Sequence, residues 1–100
     1  MTNPPAIDIV HNARESRFEA RLPDGLCRAD YRRVGNTLHM VHTEVPSSAR
    51  GRGIAGRVVA AAADYAEAEG LKLMPLCSYV RAWFSRHPER QSLLAPGSRT

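Results

Sequence analysis

A loop bearing glycine and arginine separates a predicted strand from a predicted helix near the middle of the chain. The loop reads PSSARGRG and ends at Gly53, and an alanine-rich segment with helical periodicity follows it from Ile54. The first N–H groups of a helix have no partner within the helix, and the helix dipole favours negative charge there. Gly51 and Gly53 let the backbone approach a ligand closely, and Arg50 and Arg52 supply forked donors for phosphate oxygens. The stretch therefore predicts a phosphate-bearing cofactor at the start of the helix.

The chain before this loop alternates polar and apolar residues in short runs, which is the pattern of β-strands. Pro23-Asp24-Gly25 and Gly35-Asn36 are strong turn signals between the runs. Short turns between alternating runs predict an antiparallel meander. The predicted strands span residues 7–11, 17–22, 26–34 and 37–45.

The chain after the loop predicts a helix, a strand and a second helix. Apolar residues recur at helical spacing over 54–69, and Gly70 suits the left-handed cap that would end this helix. Residues 71–76 predict a buried strand, the return leg of a β-α-β unit. Pro75 has no N–H to donate, so this strand is expected to part from one neighbour near its end. The second helix is predicted over 78–87, before Pro88 in the sequence.

These elements predict one α/β (α+β) domain that spans residues 1–100, with its core at about 7–90. We expect a mostly antiparallel sheet, a β-α-β crossover and a C-terminal helix. Residues 1–5 are predicted to be a frayed end, and the polar residues 91–100 a loose tail.

Composition narrows the class of protein. No stretch approaches the ~20 apolar residues needed to span a bilayer, and the N-terminus lacks the basic and apolar regions of a secretion signal. Two cysteines, Cys27 and Cys77, in such a chain predict reduced thiols and a cytoplasmic protein. The formal charge of +4 is carried almost wholly by arginines spread along the chain. That distribution favours a solvated surface with one phosphate site over nucleic-acid binding.

The residues from Gly51 to Gly56 match G-x-G-x-x-G, but they do not fit the dinucleotide fingerprint. That fingerprint needs its first glycine directly after a strand and an acidic residue at the end of the next strand. Here residues 46–50 intervene, the next strand ends in Leu76-Cys77, and the chain holds one crossover unit. The P-loop pattern is excluded too, since no Gly-Lys-Ser/Thr follows.

From Arg50 onward the same residues read Arg-x-x-Gly-x-Ala, and this pattern resembles the pyrophosphate loop of the GNAT superfamily of acetyl-CoA-dependent N-acetyltransferases. Within this superfamily, the chain resembles more specifically a small, single-domain GNAT-like family with three recurring segments. The resemblance covers roughly Phe18 to Glu89. Those segments are His42-Thr43-Glu44-Val45-Pro46, then Arg50-Gly51-Arg52-Gly53-Ile54-Ala55, then Pro75-Leu76-Cys77 through Tyr79 to Glu89.

The resemblance implies acetyl-CoA as the cofactor, with the backbone amides of Arg52, Gly53, Ile54 and Ala55 on its pyrophosphate. It also implies that the strands ending at Val45 and near Pro75 splay apart, with the pantetheine arm between them. The cofactor-binding residues that it implies are Val45, Arg50, Gly51, Arg52, Gly53, Ile54 and Ala55. The alternative interpretation of the loop is a solvated connection.

Glu44 is the predicted general base because it ends the fourth strand one residue before the loop, where the acetyl group is expected. An ordinary exposed or salt-bridged carboxylate is the alternative, and the two interpretations stand about even. His42, on the same strand face, would assist or pack, and packing is the preferred interpretation.

Two further residues are catalytic candidates. Cys77 precedes a helix, a position that lowers a thiol pKa, and the small family that this chain resembles carries a cysteine here. An acetyl-cysteine intermediate is therefore open, with direct attack by the amine preferred and burial as a small hydrophobe the structural alternative. Tyr79 would protonate the departing CoA thiolate, as a tyrosine does in this superfamily, or lie in the core. Cys27 is predicted to be core.

His11 and His39 are interpreted as isolated, and no Cys/His spacing predicts a metal site. The predicted function is acetyl-CoA-dependent transfer of an acetyl group to a primary amine of a small molecule or protein, by a monomer or weak homodimer. Two alternatives stay open. One is a GNAT-like module that binds CoA with little or no turnover, and the other is a small basic nucleic-acid-binding protein.

Overall fold

A mixed sheet of five strands carries the fold, and its spatial order follows the chain order, as the computed structural model shows for residues 7–97. The first three pairings are antiparallel, and the last is parallel. The predictions of a frayed end at 1–5 and of a loose tail at 98–100 lie outside the described residues. The strands are β1 (Ile9–Asn12), β2 (Arg17–Leu22), β3 (Gly25–Val34), β4 (Thr37–Glu44) and β5 (Lys72–Pro75).

The helix α1 (Ile54–Glu69) connects β4 to β5 and makes their pairing parallel. Its bounds are those that the apolar periodicity predicts. The helix ends at Gly70, whose φ of 69° is the left-handed cap conformation that glycine adopts without a Cβ penalty. The small residues of α1 bring its axis close to the sheet. Its buried residues are Ile54, Ala55, Val58, Val59, Ala62, Ala63 and Ala66.

The second helix, α2 (Ser78–Ser85), packs beside α1, and two residues separate its start from the end of β5. A Cβ on Gly56 of α1 would lie 3.8 Å from the indole of Trp83, so the glycine lets the two helices approach closely. Val80, Trp83 and Phe84 are buried, as their helical spacing predicts. The helix stops two residues short of the predicted end, because Arg86 and His87 already close it with bonds to preceding carbonyls.

The core lies between the helices and one face of the sheet, and the other face of β2–β4 is charged. Phe18, Ala20, Cys27, Ala29 and Met40 are buried against the helices, and the residues that alternate with them on β2 and β3 point the other way. On β4 a β-bulge at Val41 reverses the alternation, because Tyr31 pairs with Met40 but Asp30 pairs with His42, so His42 and Glu44 also point away from the helices. We call this second surface the charged face. It is formed by Arg17, Glu19, Arg28, Asp30, His42 and Glu44.

The strands β4 and β5 pair over only four residues and then separate. Their last register pair is Met40 with Pro75, while β4 continues to Glu44 beside β3. The Met40 carbonyl accepts hydrogen bonds from the Leu76 N–H at 3.1 Å and the Cys77 N–H at 2.9 Å, and the chain then turns into α2. The expected parting at Pro75 is confirmed.

The prediction of a loose tail is wrong for residues 91–95. Residues 88–93 form a 3₁₀ helix, and Leu93, Leu94 and Ala95 are buried. The N–H of Ala95 donates to the Leu73 carbonyl at 2.8 Å, so this segment adds a short parallel bridge beside β5. The polar composition of the whole stretch conceals three consecutive apolar residues that cover the end of the core.

This packing predicts a large effect of Leu94→Ala on stability. Leu94 is 6% exposed, and truncating a buried leucine removes apolar contacts and leaves a cavity. We expect the free energy of unfolding to fall by about 2–4 kcal/mol, measured by urea denaturation. Glu89→Ala, an exposed position in the 3₁₀ helix that precedes Leu94, is the control and should change it by less than about 0.5 kcal/mol. Equal stability of the two variants would contradict the packing.

Candidate active site

The loop between β4 and α1 is ordered by its own backbone. It forms a short 3₁₀ turn at Ser47–Ala49, and the N–H of Arg50 donates to the Ser47 carbonyl at 3.2 Å. The N–H of Arg52 donates to the Ala49 carbonyl at 3.3 Å, and the Arg52 guanidinium reaches the Ser48 carbonyl at 3.0 Å. The resemblance implied that the Arg52 amide faces the pyrophosphate, but in the structure this amide helps to close the loop.

A carboxylate from the β2–β3 turn also holds the loop. Asp24 accepts the Ser48 N–H at 3.1 Å and, in addition, the Ser48 hydroxyl. These hydrogen bonds, that of the side chain first and that of the backbone second, lower the pKa of the Asp24 carboxyl. The sequence marks Asp24 only as a turn residue, because nothing local to it reveals a partner 24 positions away.

The start of α1 presents a row of open donors. Gly51 and Gly53 both adopt φ of 74°, and a Cβ at either position would meet nothing within 4 Å. The N–H of Arg57 is the first in the helix to find a backbone acceptor, the Gly53 carbonyl at 3.2 Å. Within residues 7–97, the N–H groups of Gly53, Ile54, Ala55 and Gly56 have no such partner. Such a row suits an anion.

A cavity of about 300 Å³ opens beside these donors, a volume at the lower end of small-molecule sites. It brings together six of the residues that the sequence singled out, and Ala49 in addition. Ile54 is 2% exposed, so its side chain belongs to the core and only its N–H faces the site. Arg52 is not among the lining residues, which are Val45, Ala49, Arg50, Gly51, Gly53, Ala55 and Tyr79.

Cys77 lies where β4 and β5 part, at the start of α2. Its Sγ is 3.2 Å from the Thr43 hydroxyl, which reaches it across the gap. Burial by itself would raise the pKa of the Cys77 thiol. Hydrogen bonds from Thr43 and from the backbone of Val80 and Tyr79 outweigh that effect, and the pKa is lowered. Thr43 was not predicted as a site residue, because alternation from the buried Met40 would place it on the outer face, and only the β-bulge at Val41 turns it to the helix side.

Tyr79 is half-buried on the first turn of α2 and lines the cavity. Its hydroxyl lies 4.0 Å from the position that a Cβ on Gly56 would take, so it faces the start of α1. Burial raises the pKa of Tyr79, partly offset by the charge of Arg86. The phenol is protonated at neutral pH and so has a proton to donate, although the raised pKa makes it a weaker acid than a free tyrosine.

Glu44 and His42 form a hydrogen-bonded pair on the charged face. The two side chains are 54% and 53% exposed, and His42 Nε2 lies 2.8 Å from Glu44 Oε2. The hydrogen bond and the charge of His42 lower the pKa of the Glu44 carboxyl. The prediction that His42 packs is wrong, because the β-bulge at Val41 turns its side chain away from the helices and into solvent.

His11 and Cys27 are structural. Cys27 is fully buried, as predicted, and burial raises the pKa of its thiol. The interpretation of His11 as isolated is wrong: its Nε2 lies 2.6 Å from the Tyr31 hydroxyl, and its ring stacks on Phe18 at 4.2 Å between centroids. Across residues 7–97, no group of three or more His, Cys, Asp or Glu side chains is placed to hold a metal ion.

A meander of strands, a crossover helix with open donors at its start, and a parting strand pair together define the minimal GNAT fold. Residues 17–93 match the sequence model of the family described as GCN5-related N-acetyl-transferase. The chain therefore belongs to this family.

Vertebrate relatives and a solved structure agree with that assignment. The chain is 36% identical over 91 residues to Protein NATD1 of Xenopus tropicalis, covering 88% of this chain and 84% of the relative. It is 37% identical over 90 residues to Protein NATD1 of Homo sapiens, covering 87% and 80%. The solution structure of a GCN5-like protein from Staphylococcus aureus superposes with a TM-score of 0.72 at 22% identity, over 89% of this chain and 88% of that one. This last likeness supports the fold.

The helices can be compared with what crossing a membrane requires in length and apolar character. Among residues 7–97, no helix combines the length and the apolar character that crossing a bilayer requires.

The surroundings of the two cysteines predict selective alkylation. In the folded protein we expect iodoacetamide to modify Cys77 and to spare Cys27, with a rate that rises through a pH below the ~8.5 of a free thiol. Because the pKa of Cys77 is lowered, its thiolate forms at lower pH, and the midpoint of the curve of alkylation rate against pH falls. Thr43→Val should move the midpoint up, and Thr37→Val, on the same strand but beside Lys72, should not. Mass spectrometry of the labelled peptides measures both, and equal labelling of the two thiols would contradict the site.

Proposed function

We propose that the protein transfers an acetyl group from acetyl-CoA to a primary amine of a small molecule or protein. The observation that carries the proposal is the row of open N–H groups from Gly53 to Gly56, next to the place where β4 and β5 part. A pyrophosphate needs a cluster of fixed donors, and a thioester arm needs a slot between strands. The two features adjoin at Val45, where β4 enters the loop.

The described residues fit acetyl-CoA at this site. The positive φ of Gly51 and Gly53 leaves open space where a side chain would otherwise stand. Arg50 borders the cavity and adds a positive charge to the helix dipole. Acetyl-CoA, when bound, would supply an activated thioester carbonyl. The protein's part is to hold the pyrophosphate on α1 and to polarise that carbonyl with a backbone N–H near Val45.

Tyr79 and Cys77 have distinct roles in the proposal. The Tyr79 phenol is protonated at neutral pH and its hydroxyl faces the cavity, so it can donate its proton to the leaving sulfur. We propose direct attack by the amine, with Cys77 beside the gap but not acylated. Transfer through an acetylated Cys77 is the alternative, and the lowered pKa of its thiol supports keeping that route in the test.

The first test compares two glycines with the same backbone constraint. Gly53 and Gly35 both have positive φ and free space around a new Cβ, but only Gly53 lies at the cavity. Alanine at either position should cost about 1–2 kcal/mol of stability, because a left-handed conformation is strained for alanine. Acetyl-CoA at ~100 times its dissociation constant should stabilise the wild type and Gly35→Ala by about 2.7 kcal/mol.

Gly53→Ala should lose much of that ligand effect, with acetyl-CoA affinity reduced about tenfold or more, because its new Cβ occupies space at the cavity that the pyrophosphate would need. Calorimetric titration and thermal unfolding measure both quantities. If millimolar acetyl-CoA shifts the unfolding of none of the three proteins, the proposed cofactor is wrong.

The second test separates the roles of Tyr79 and Cys77. Tyr79→Phe should lower kcat by about 10²-fold, because the thiolate then leaves without a positioned acid, while acetyl-CoA affinity stays within a few fold. Cys77→Ser should keep most of the transfer. A Cys77→Ser variant without activity, together with an acetylated Cys77 trapped in the wild type, would replace direct attack with the covalent route.

A further inference from the structure

In the hydrogen-bonded pair formed by His42 and Glu44, the second ring nitrogen of His42 is left open. His42 uses Nε2 for its hydrogen bond to Glu44, and among residues 7–97 its Nδ1 has no hydrogen-bond partner. More than half of each side chain is exposed, so a ligand can reach the ring. The carboxylate fixes the ring orientation, and the second nitrogen remains open to accept a proton.

The pair also borders the gap between β4 and β5. His42 and Glu44 flank Thr43 in sequence, and Thr43 contacts Cys77 across that gap. Because alternate residues of a strand point to opposite faces, the pair lies on the charged face while Thr43 points to the helices. An amine that approaches the gap from the charged face therefore meets the pair first.

We propose that His42 is the proton acceptor for the incoming amine and that Glu44 is the positioning residue that orients its ring. This inference rests on the acetyl transfer proposed above and reassigns the role that the sequence gives to Glu44. A neutral imidazole accepts a proton near neutral pH, where the conjugate acid of a carboxylate is far too strong to hold one. The lowered pKa of the Glu44 carboxyl makes that carboxylate a still weaker acceptor.

The step balances in protons and electrons. His42 Nδ1 takes one proton from the substrate ammonium, and the freed lone pair on nitrogen forms the C–N bond. The C–S bond breaks and its electron pair goes to sulfur, which is protonated by the Tyr79 hydroxyl. The second amine proton leaves to water, the His42 imidazolium returns its proton to water, and the Tyr79 phenolate regains one. One proton is released for each acetyl group transferred.

The charged side chains nearest the pair on β2 and β3 form ion pairs with each other. Across β3, Asp30 is opposite His42 and Arg28 is opposite Glu44, and these two neighbours are bound to each other at 3.1 Å. On β2, Arg17 and Glu19 form a second ion pair at 2.5 Å. On the other side, β5 carries one ionisable side chain, Lys72, at the far end of the paired segment opposite Thr37. On β4 itself, His39 precedes the parting of the strands.

The test is the pH profile of kcat/KM with a primary alkylamine, whose own pKa lies far above the measured range. The kcat/KM of the wild type should rise with pH and then level off, because bound ammonium is deprotonated by the neutral imidazole of His42. His42→Gln keeps a polar group beside Glu44 but removes the base. Its rate at neutral pH should be about 10²-fold lower, and it should climb steadily with pH, as only amine that is already neutral reacts.

Three further variants make the assignment specific. Added imidazole should partly restore the transfer rate of His42→Ala. Glu44→Gln should lower the rate less than His42→Gln does, and its pH profile should still level off. His39→Gln, a histidine on the same strand without a bond to Glu44, should match the wild type. Acetyl-CoA affinity, measured separately, should be unchanged in all of them.

The outcomes distinguish the role proposed for His42 from the acetyl transfer on which it rests. A wild type that binds acetyl-CoA and transfers acetyl groups, with a His42→Gln variant of the same rate and profile, would overturn the role of His42 alone. If the pH profile of Glu44→Gln no longer levels off while that of His42→Gln still does, Glu44 is the proton acceptor. Failure of the wild type to acetylate any amine would overturn both proposals.

Discussion

The carbonyl of Met40 is the point on which the rest of the site depends. It accepts two consecutive N–H groups, those of Leu76 and Cys77, and it is the last link that holds the end of β5 against β4. Pro75 has no N–H with which to extend the ladder, so the chain turns into α2 at once. That turn puts Cys77 opposite Thr43 and directs Tyr79 towards the first turn of α1.

Much of this layout was accessible from the sequence because its causes are local. The apolar periodicity of α1 and the glycine that caps it predict the bounds of the helix, Ile54–Glu69. The missing N–H of Pro75 predicts that the strands part, and the glycines of the loop predict the open space at the start of α1. Each of these properties belongs to one residue or to one repeating pattern, so no knowledge of distant contacts is needed.

The contacts that sequence reasoning missed join residues far apart or depend on which way a side chain points. The bond from Asp24 to Ser48 exists only because the β2–β3 turn lies beside the loop. The pairing of His42 with Glu44 depends on both side chains staying outside the core at a strand end. The stretch that ends the described chain is polar on average, yet its buried residues Leu93, Leu94 and Ala95 pack it against the core. Average composition conceals such a short apolar segment.

In the proposed function, α1 serves both the core and the cofactor with the same residues, and this would link ligand supply to protein turnover. Ile54 is buried in the core while its N–H is open at the site, so the first turn cannot fray without exposing apolar surface. An anion bound there ties down the element on which the whole sheet packs. Proteolysis acts on the opened chain, so ligand scarcity would shorten the lifetime of such a protein. Substitutions deep in α1, at Val58 for instance, would then resemble ligand-binding defects in a genetic screen.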